Sequence, residues 1–364
     1  MESRLERLRA RMRARGLGSL VIAAPEDLSH SNLRYLTGFT GSSGYLVVDR
    51  EGATFLTDSR YVEQAQAEVR ACRVLQHASP YGETLAQVCR AAKGPIGFEA
   101  DKVPVRMLEE WKARMPGREF EAAEGLVEEL RIVKDSSEIA SMRQVAALAG
   151  QALQDVLGAF AAGMSERRLA RELAHAMQER GLDGPGFSFI VASGPRGSLP
   201  HAQPTDRVVE SGELLTIDFG GALDGYLSDE TVTVGIGRVE PKLREIYELV
   251  LTSQAAGIAA AGPGVAASEV DRASRAVIEA SPYREWCFAY GVGHGVGLDI
   301  HEEPFAARPG AGCADQVLEP GMTITVEPGI YIPGVGGVRL EDTLVITERG
   351  AERITATGKE YRSL

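Results

Sequence analysis

Cysteine is scarce in this chain and poorly placed for pairing or for metal. Cys72, Cys89, Cys287 and Cys313 are the only four, and no two of them stand in a C-x-x-C spacing. That excludes a zinc ribbon and fits reduced thiols in a cytoplasmic protein better than a disulfide framework. Long apolar runs are missing as well. Nothing approaches the about 18 consecutive apolar residues that a membrane span needs. The opening MESRLERLRARMRARGLGS is charged throughout and lacks the apolar stretch of a secretory signal, so it reads as an amphipathic first helix, and export is not expected. Nor is there a surplus of positive charge. The formal net charge is -12, and the basic residues are interleaved with acids along helical stretches, so no face is built to neutralise phosphates and nucleic acid is not an expected partner.

What is present is a chain of 364 residues, 44% of them hydrophobic and 25% charged, enough for a substantial core and for two domains. The apolar SLVIAA, then YLTGFTGSSGYLVV with its Gly/Ser-rich turn, then ATFLT read as strands, and VEQAQAEVRA reads as a helix. This pattern continues more weakly to about residue 121, which predicts a small α/β domain over 1–125. Asp135 with Glu138 three residues on forms a capping box that opens a long helix to about Phe160. A second helix is marked by Ser165 at its start and Gly181 at its end. Beyond it lie Gly- and Pro-rich strands and turns, interrupted by helical stretches at about 241–261 and 268–281. The second domain is therefore placed at 130–364.

Within that second domain a unit recurs. Glu210-Ser211-Gly212 leads through an apolar run to Asp218 and Gly220, and Glu319-Pro320-Gly321 leads to Glu327 and Gly329. The offsets agree: six residues from glycine to acid, and two from acid to the next glycine. Each copy then passes a Gly-containing turn to a second acid with threonine two residues later, Asp229 with Thr231 and Glu341 with Thr343. A common order of glycine, acid, acid and threonine points to duplication.

Asp224-Gly225 is a favoured two-residue hairpin turn. Taken literally, it pairs Leu223 with Tyr226 and Asp218 with Thr231, and leaves Asp218 and Asp229 as diagonal neighbours on one face, about 7–8 Å apart at the backbone. In the second copy a turn centred near Gly334 sets Glu327 opposite Glu341. Singly, these acids would pass for turn residues or solvated strand ends; their paired recurrence is what marks them. Four carboxylates in one cleft repel one another unless cations compensate them. Carboxylates with an imidazole and no thiolate suit Mn²⁺, with Co²⁺ or Zn²⁺ as alternatives, in a two-metal hydrolytic site. The imidazole candidate is His294, flanked by Gly293 and Gly295 in GVGHGVGLDIHEEP, where missing side chains allow close backbone approach. His201 and His301 lie in the same region, whereas His30, His77 and His175 read as ordinary surface or core residues.

In order along the chain, PHAQPTDR, LLTIDFGGALDGYLSDET, GHGVGLDIHEEP, TVEPGIYIPG and GVRLED resemble the signature of the pita-bread metallopeptidases, which comprise aminopeptidase P, prolidase and methionine aminopeptidase. YLTGFTGSSG and FLTDSRYVEQA are similar to the amino-terminal domain of Xaa-Pro aminopeptidases. The resemblance implies an α/β (α+β) chain whose small N-terminal α/β domain precedes a C-terminal pita-bread domain with internal pseudo-twofold duplication. It implies two divalent metal ions, bridged by Asp229 and Glu341, with Asp218 completing one site and His294 and Glu327 the other. It further implies attack of water on the carbonyl before proline, with Glu327 taking the proton and passing it to the leaving nitrogen. His201 and His301 would stabilise the tetrahedral intermediate, and Arg339 would orient carboxylates. The expected substrates are small peptides with proline in second position, and the expected assembly is a homodimer.

Two positions depart from the family pattern: Tyr290 stands where a histidine is usual, and Val232 where an arginine is usual. No metal ligand is lost. The amino-terminal motifs favour an Xaa-Pro aminopeptidase, with an Xaa-Pro dipeptidase (prolidase) as the alternative. A non-catalytic pita-bread binding module, the alternative of another class, is opposed by the presence of all five candidate ligands.

Overall fold

A computed structural model describes residues 3–26, 28, 30–77, 81–161, 163–310 and 312–364. The chain divides into two compact units, residues 1–131 and 132–364. Among the described residues no helix is long and apolar enough to cross a membrane.

The first unit is built on one mixed sheet. Its strands are β1 (Ser19–Ala24), β2 (Gly44–Asp49), β3 (Ala53–Thr57), β4 (Arg73–Gln76), β5 (Ile96–Phe98) and β6 (Phe120–Ala122), in the order β4-β3-β2-β1-β5-β6. SLVIAA, apolar at nearly every position, lies near the middle of this sheet and is buried along its whole length, as a strand covered on both faces must be. The charged opening segment forms the helix Arg4–Ala14, capped by Ser3 and burying Leu5, Leu8 and Met12. One expectation is corrected here. Tyr35 and Leu36 close the helix Ser31–Thr37 rather than beginning a strand, with Leu33 and Leu36 buried one turn apart. Gly38, at φ 78°, ends that helix in the left-handed conformation that glycine adopts without penalty. So short an apolar run carries too little periodicity to tell helix from strand.

The second unit repeats a larger pattern than the motifs alone suggest. Helices Ser136–Gly158 and Glu166–Glu179 precede the strands Leu214–Phe219 and Glu230–Gly235 and share a core with them through Val145, Leu153, Leu169, Leu173, Ile217 and Val234. Helices Pro241–Ala260 and Ala267–Glu279 precede the strands Thr323–Val326 and Asp342–Thr347, around Val250, Val270, Ile278, Ile324 and Leu344. Each half is thus a helix pair packed on a hairpin. Asp135 caps its helix through both hydrogen bonds of the capping box, and Ser165 caps the next by accepting from the Arg168 amide. Val232, one of the two departures, is a buried strand residue in the first core.

Both hairpin registers follow from their turns. Leu223 pairs with Tyr226 and Thr231 with Asp218, and the turn between them has positive φ at both Asp224 (50°) and Gly225 (79°), which matches the twist of the flanking strands. In the second copy Ile332 pairs with Gly336 and Gly329 with Arg339, while beyond them Val326 pairs with Asp342, so one register runs across the gap and sets Glu327 opposite Glu341.

The two hairpins meet along Glu230–Gly235. The Glu341 amide donates to the Thr231 carbonyl at 3.0 Å, Thr231 Oγ1 donates to Glu341 Oε2 at 2.7 Å, and Thr343 Oγ1 donates to the Asp229 carbonyl at 2.7 Å. Each acid therefore faces the threonine of the other copy, as a twofold axis between the strands requires. Gly225→Val places a β-branched residue at positive φ and is expected to cost about 1–3 kcal/mol. A urea midpoint unchanged from the parent would contradict that turn geometry.

Candidate metal centre

The antiparallel meeting of the two hairpins puts Asp229 and Glu341 side by side, 5% and 2% exposed. His294 reaches them from the short strand Gly293–Gly295, which has to press against the second hairpin. A Cβ at Gly293 would lie 1.9 Å from the Thr325 carbonyl oxygen, so only glycine fits there. One ligand atom from each of Asp229, His294 and Glu341 falls within 4.8 Å of the others. Asp218, on the strand Leu214–Phe219, and Glu327, just past the strand Thr323–Val326, complete the group lining the same cleft.

His294, Glu341 and Asp218 are each held by something other than a metal. His294 Nδ1 lies 3.0 Å from the Gly295 carbonyl oxygen. A carbonyl can only accept, so Nδ1 carries the proton and Nε2 is turned toward the acids, 3.2 Å from Glu327 Oε1 and 3.7 Å from Asp229 Oδ2. Thr231 occupies one oxygen of Glu341. Arg339 Nη2 donates to Asp218 Oδ2 at 2.6 Å, whereas Asp218 Oδ1 is buried with no hydrogen-bond partner. An orphaned carboxylate oxygen beside three more carboxylates and an imidazole is the donor set of a hard or borderline divalent cation.

The electrostatics agree. Loss of solvent, then the neighbouring carboxylates, push Asp229 and Glu341 well above the usual carboxylate range; Asp218 is raised by burial despite Arg339. Burial opposes the charge on His294, but Glu327 outweighs it and raises the imidazole pKa. The four carboxylates and Arg339 leave a formal charge of -3 in the cluster once His294 is neutral. One divalent cation leaves that charge uncompensated, and two exceed it by the charge of one hydroxide.

Arg339 ties this cluster to the rest of the cleft. Besides Asp218 it donates to the Pro200 carbonyl at 3.0 Å, next to His201, and to the Tyr331 hydroxyl at 2.9 Å. Tyr331 Oη is in turn 2.6 Å from Tyr290 Oη. Since a guanidinium only donates, Tyr331 can pass its own proton to Tyr290, which leaves the Tyr290 O–H free to point into the cleft. The backbone beneath Tyr290 is fixed by the Asp271–Arg275 pair, with Arg275 donating to the carbonyls of Phe288 and Tyr290 at 2.6 Å each.

His201 and His301 line the same cleft, about 730 Å³ in volume, with His301 stacked edge-on against His294 at 4.4 Å between ring centres. All eight residues singled out by sequence are thus gathered here. Tyr331 was not among them. It lies in TVEPGIYIPG, and its alternation with Gly329 on the strand Gly329–Ile332 was the available signal. Glu230 and Asp342 also escaped notice, although each directly follows an acid of the repeat. They point to the opposite side of their strands, where both pair with Lys359, Asp342 at 3.2 Å.

A buried nest of carboxylates whose charge demands cations, at the floor of a substrate-sized cleft between duplicated halves, defines a metal-dependent hydrolase. Residues 140–348 match the model of Metallopeptidase family M24, and residues 4–133 match the Creatinase/Prolidase N-terminal domain. The chain belongs to metallopeptidase family M24, and its second unit is the pita-bread domain. It is 35% identical to an Xaa-Pro dipeptidase of Pyrococcus furiosus over 99% of both chains. An Xaa-Pro dipeptidase structure from Bacillus anthracis superposes with a TM-score of 0.93 at 38% identity, covering 99% of each chain. An X-Pro aminopeptidase structure from Thermotoga maritima gives 0.89 at 30% identity, over 95% of this chain and 97% of the other.

Metal removal therefore has a pH signature. Without cations the folded state holds protons on Asp229, Glu341 and His294 that the unfolded chain releases at its ordinary pKa values, about 4 for the acids and about 6.5 for the imidazole. The folded state then binds more protons, so stability falls as pH rises above those values. Chelator-stripped protein is expected to lose thermal stability between about pH 5 and pH 8, and Mn²⁺ is expected to abolish the trend. Stability of the stripped protein that rises over this range would contradict the cluster.

Proposed function

We propose that the chain hydrolyses the bond between an amino acid and proline in Xaa-Pro dipeptides. The observation that carries this is near full-length similarity to Xaa-Pro dipeptidases, in sequence and in structure, around a complete set of candidate ligands. The preference drawn from the amino-terminal motifs, aminopeptidase first and dipeptidase second, is thereby reversed.

Asp218, Asp229 and Glu341 would hold one divalent ion, and Asp229, His294, Glu327 and Glu341 would hold the other, with Mn²⁺ as the ion these donors suit. When bound, the ions lower the pKa of water to supply a nucleophile at neutral pH and polarise the scissile carbonyl. Glu327, within reach of His294 Nε2 and only partly buried, takes the proton and returns it to the proline nitrogen as the bond breaks. His201 and His301 donate to the oxygen on which negative charge develops. Arg339 keeps one oxygen of Asp218 occupied so that the other is presented to the ion. The Tyr290 hydroxyl, backed by Tyr331 and Arg339, supplies a further donor to bound substrate.

One observation supports a second reading, that of an aminopeptidase acting on longer peptides. Among the described residues lining the cleft, Arg339 is the only guanidinium and there is no lysine. Arg339 is already engaged by Asp218, so a dipeptide's free carboxylate would be met only by histidine or by neutral donors such as Tyr290, Ser188 and Gln203. Longer peptides place no charge there.

Hydrolysis of Xaa-Pro dipeptides and Xaa-Pro-Xaa tripeptides, compared in stripped protein reloaded with Mn²⁺, Co²⁺ or Zn²⁺, separates the two. Dipeptide cleavage that disappears in Asp229→Ala supports the proposal, tripeptide cleavage transfers it to the aminopeptidase, and neither would refute the proline specificity. In the active enzyme His201→Ala is expected to lower kcat about 10²- to 10³-fold, as removal of one oxyanion donor does. Tyr290→Phe is expected to raise KM more than it lowers kcat, and a Tyr290→Phe enzyme with parental KM would exclude the hydroxyl from substrate binding.

A further inference from the structure

Glu166 is a densely engaged carboxylate outside the metal cluster. It is fully buried, one residue past the Ser165 cap, and its two oxygens accept from five donors on three residues. Oε1 accepts from the Ser193 amide and hydroxyl, both at 2.9 Å. Oε2 accepts from the Thr205 amide at 3.0 Å and hydroxyl at 2.7 Å. Arg196 Nε donates across both oxygens, at 3.2 and 3.0 Å. Burial alone would penalise the charge, yet these bonds hold the carboxyl below its ordinary range, and the helix start favours a negative group.

The three partners share one location. Ser193 ends the strand Ile190–Ser193 and Thr205 follows the segment carrying His201, so the two are the ends of one loop, and the Glu166 side chain closes its neck. The helix backbone adds to the closure, with the Glu166 amide donating to the Arg207 carbonyl and the Arg167 amide to the Thr205 carbonyl. Inside the loop, Arg196 Nη2 donates to the Gln203 carbonyl at 2.5 Å, and at its tip Arg339 holds the Pro200 carbonyl. The His201 side chain has no hydrogen bond of its own among the described residues and is exposed to the cleft. The ring therefore sits where the loop puts it.

We propose that Glu166 is a positioning residue for the reaction, acting through the loop it closes to set His201 against the substrate. This rests on the reading of His201 as a donor to the developing oxyanion. Removing the carboxylate leaves five donors without their acceptor and frees both loop ends together, whereas the candidate metal ligands make no contact with Glu166, and Asp218 is held by its own strand pairing with Ile190 and by Arg339. A displacement of about 1 Å in a positioned group is enough for a loss approaching 10²-fold.

The test combines Glu166→Gln, His201→Ala and the double variant in the full-length, Mn²⁺-loaded protein, with kcat on an Xaa-Pro dipeptide, bound metal per chain and amide exchange over residues 194–204. Glu166→Gln is expected to lower kcat about 10- to 100-fold, to leave metal content unchanged and to speed exchange in the loop. Added to His201→Ala it is expected to cost less than about twofold, since two residues acting through one contact are not additive. A full loss in the His201→Ala background, or unchanged exchange at 194–204, would overturn the proposal. If Glu166→Gln does not fold, Thr205→Val removes one donor while keeping its shape, and the same two readouts decide. Parental turnover in His201→Ala would refute the catalytic reading of that histidine, and would overturn the effect claimed for Glu166 on the reaction; the exchange data would still report whether the loop is clamped.

Discussion

Repulsion among four carboxylates is the constraint around which the second unit is organised. Asp218, Asp229, Glu327 and Glu341 are brought onto one wall of a cleft where solvent screens them poorly, and two of them are almost fully buried. Left alone, such a group takes up protons or comes apart. The chain resists the second outcome by covalent and hydrogen-bonded geometry: all four lie on or beside paired strands, and Asp229 and Glu341 are each locked to the threonine of the opposite copy. It leaves the charge itself to be settled by cations. Arg339, the one permanently positive side chain in the cluster among the described residues, is spread over Asp218, Pro200 and Tyr331 and so couples the charge balance to the placement of His201 and Tyr290.

Duplication supplies the geometry at little cost in sequence. Two helix-pair and hairpin units meet about a twofold axis, and residues that follow one another along a strand point alternately to the cleft and away from it. Asp229 and Glu341 face the cleft; Glu230 and Asp342, the next residues, face the other way and converge on Lys359 near the end of the chain. A buried charge cluster on one side of the strands is thereby backed by a compensated one on the other. That second cluster also receives Thr355 and Arg353, at 2.7 and 3.0 Å from Asp342, so residues 353–359 brace the strands that carry the candidate metal ligands.

Much of this was legible because it depended on local chemistry. Asp224-Gly225 names its turn, the turn fixes the register, and the register sets which acids share a face; the pairing of Asp218 with Thr231 follows from two residues. The capping box at Asp135 located a helix start for the same reason. What stayed out of sight depended on contacts far apart in sequence. The hydroxyl pair of Tyr290 and Tyr331 joins residues 41 apart, and the closure of the His201 loop by Glu166 joins residues 27 and 39 apart. No spacing rule reports such contacts. The segment at Tyr35–Thr37 failed for the opposite reason, as too short an apolar run for either period to show.

The central claim, that this cluster exists to hold two divalent ions, is tested most directly by calorimetric titration of Mn²⁺ into chelator-stripped protein near pH 7 in two buffers of different ionisation enthalpy. The account predicts two ions per chain with protons released on binding, because burial and the neighbouring carboxylates raise the proton affinity of Asp229 and Glu341, Glu327 raises that of His294, and bound ions compete with those protons. It also predicts that both sites weaken in Asp229→Ala. Binding of fewer than two ions, or binding without proton release, would contradict it.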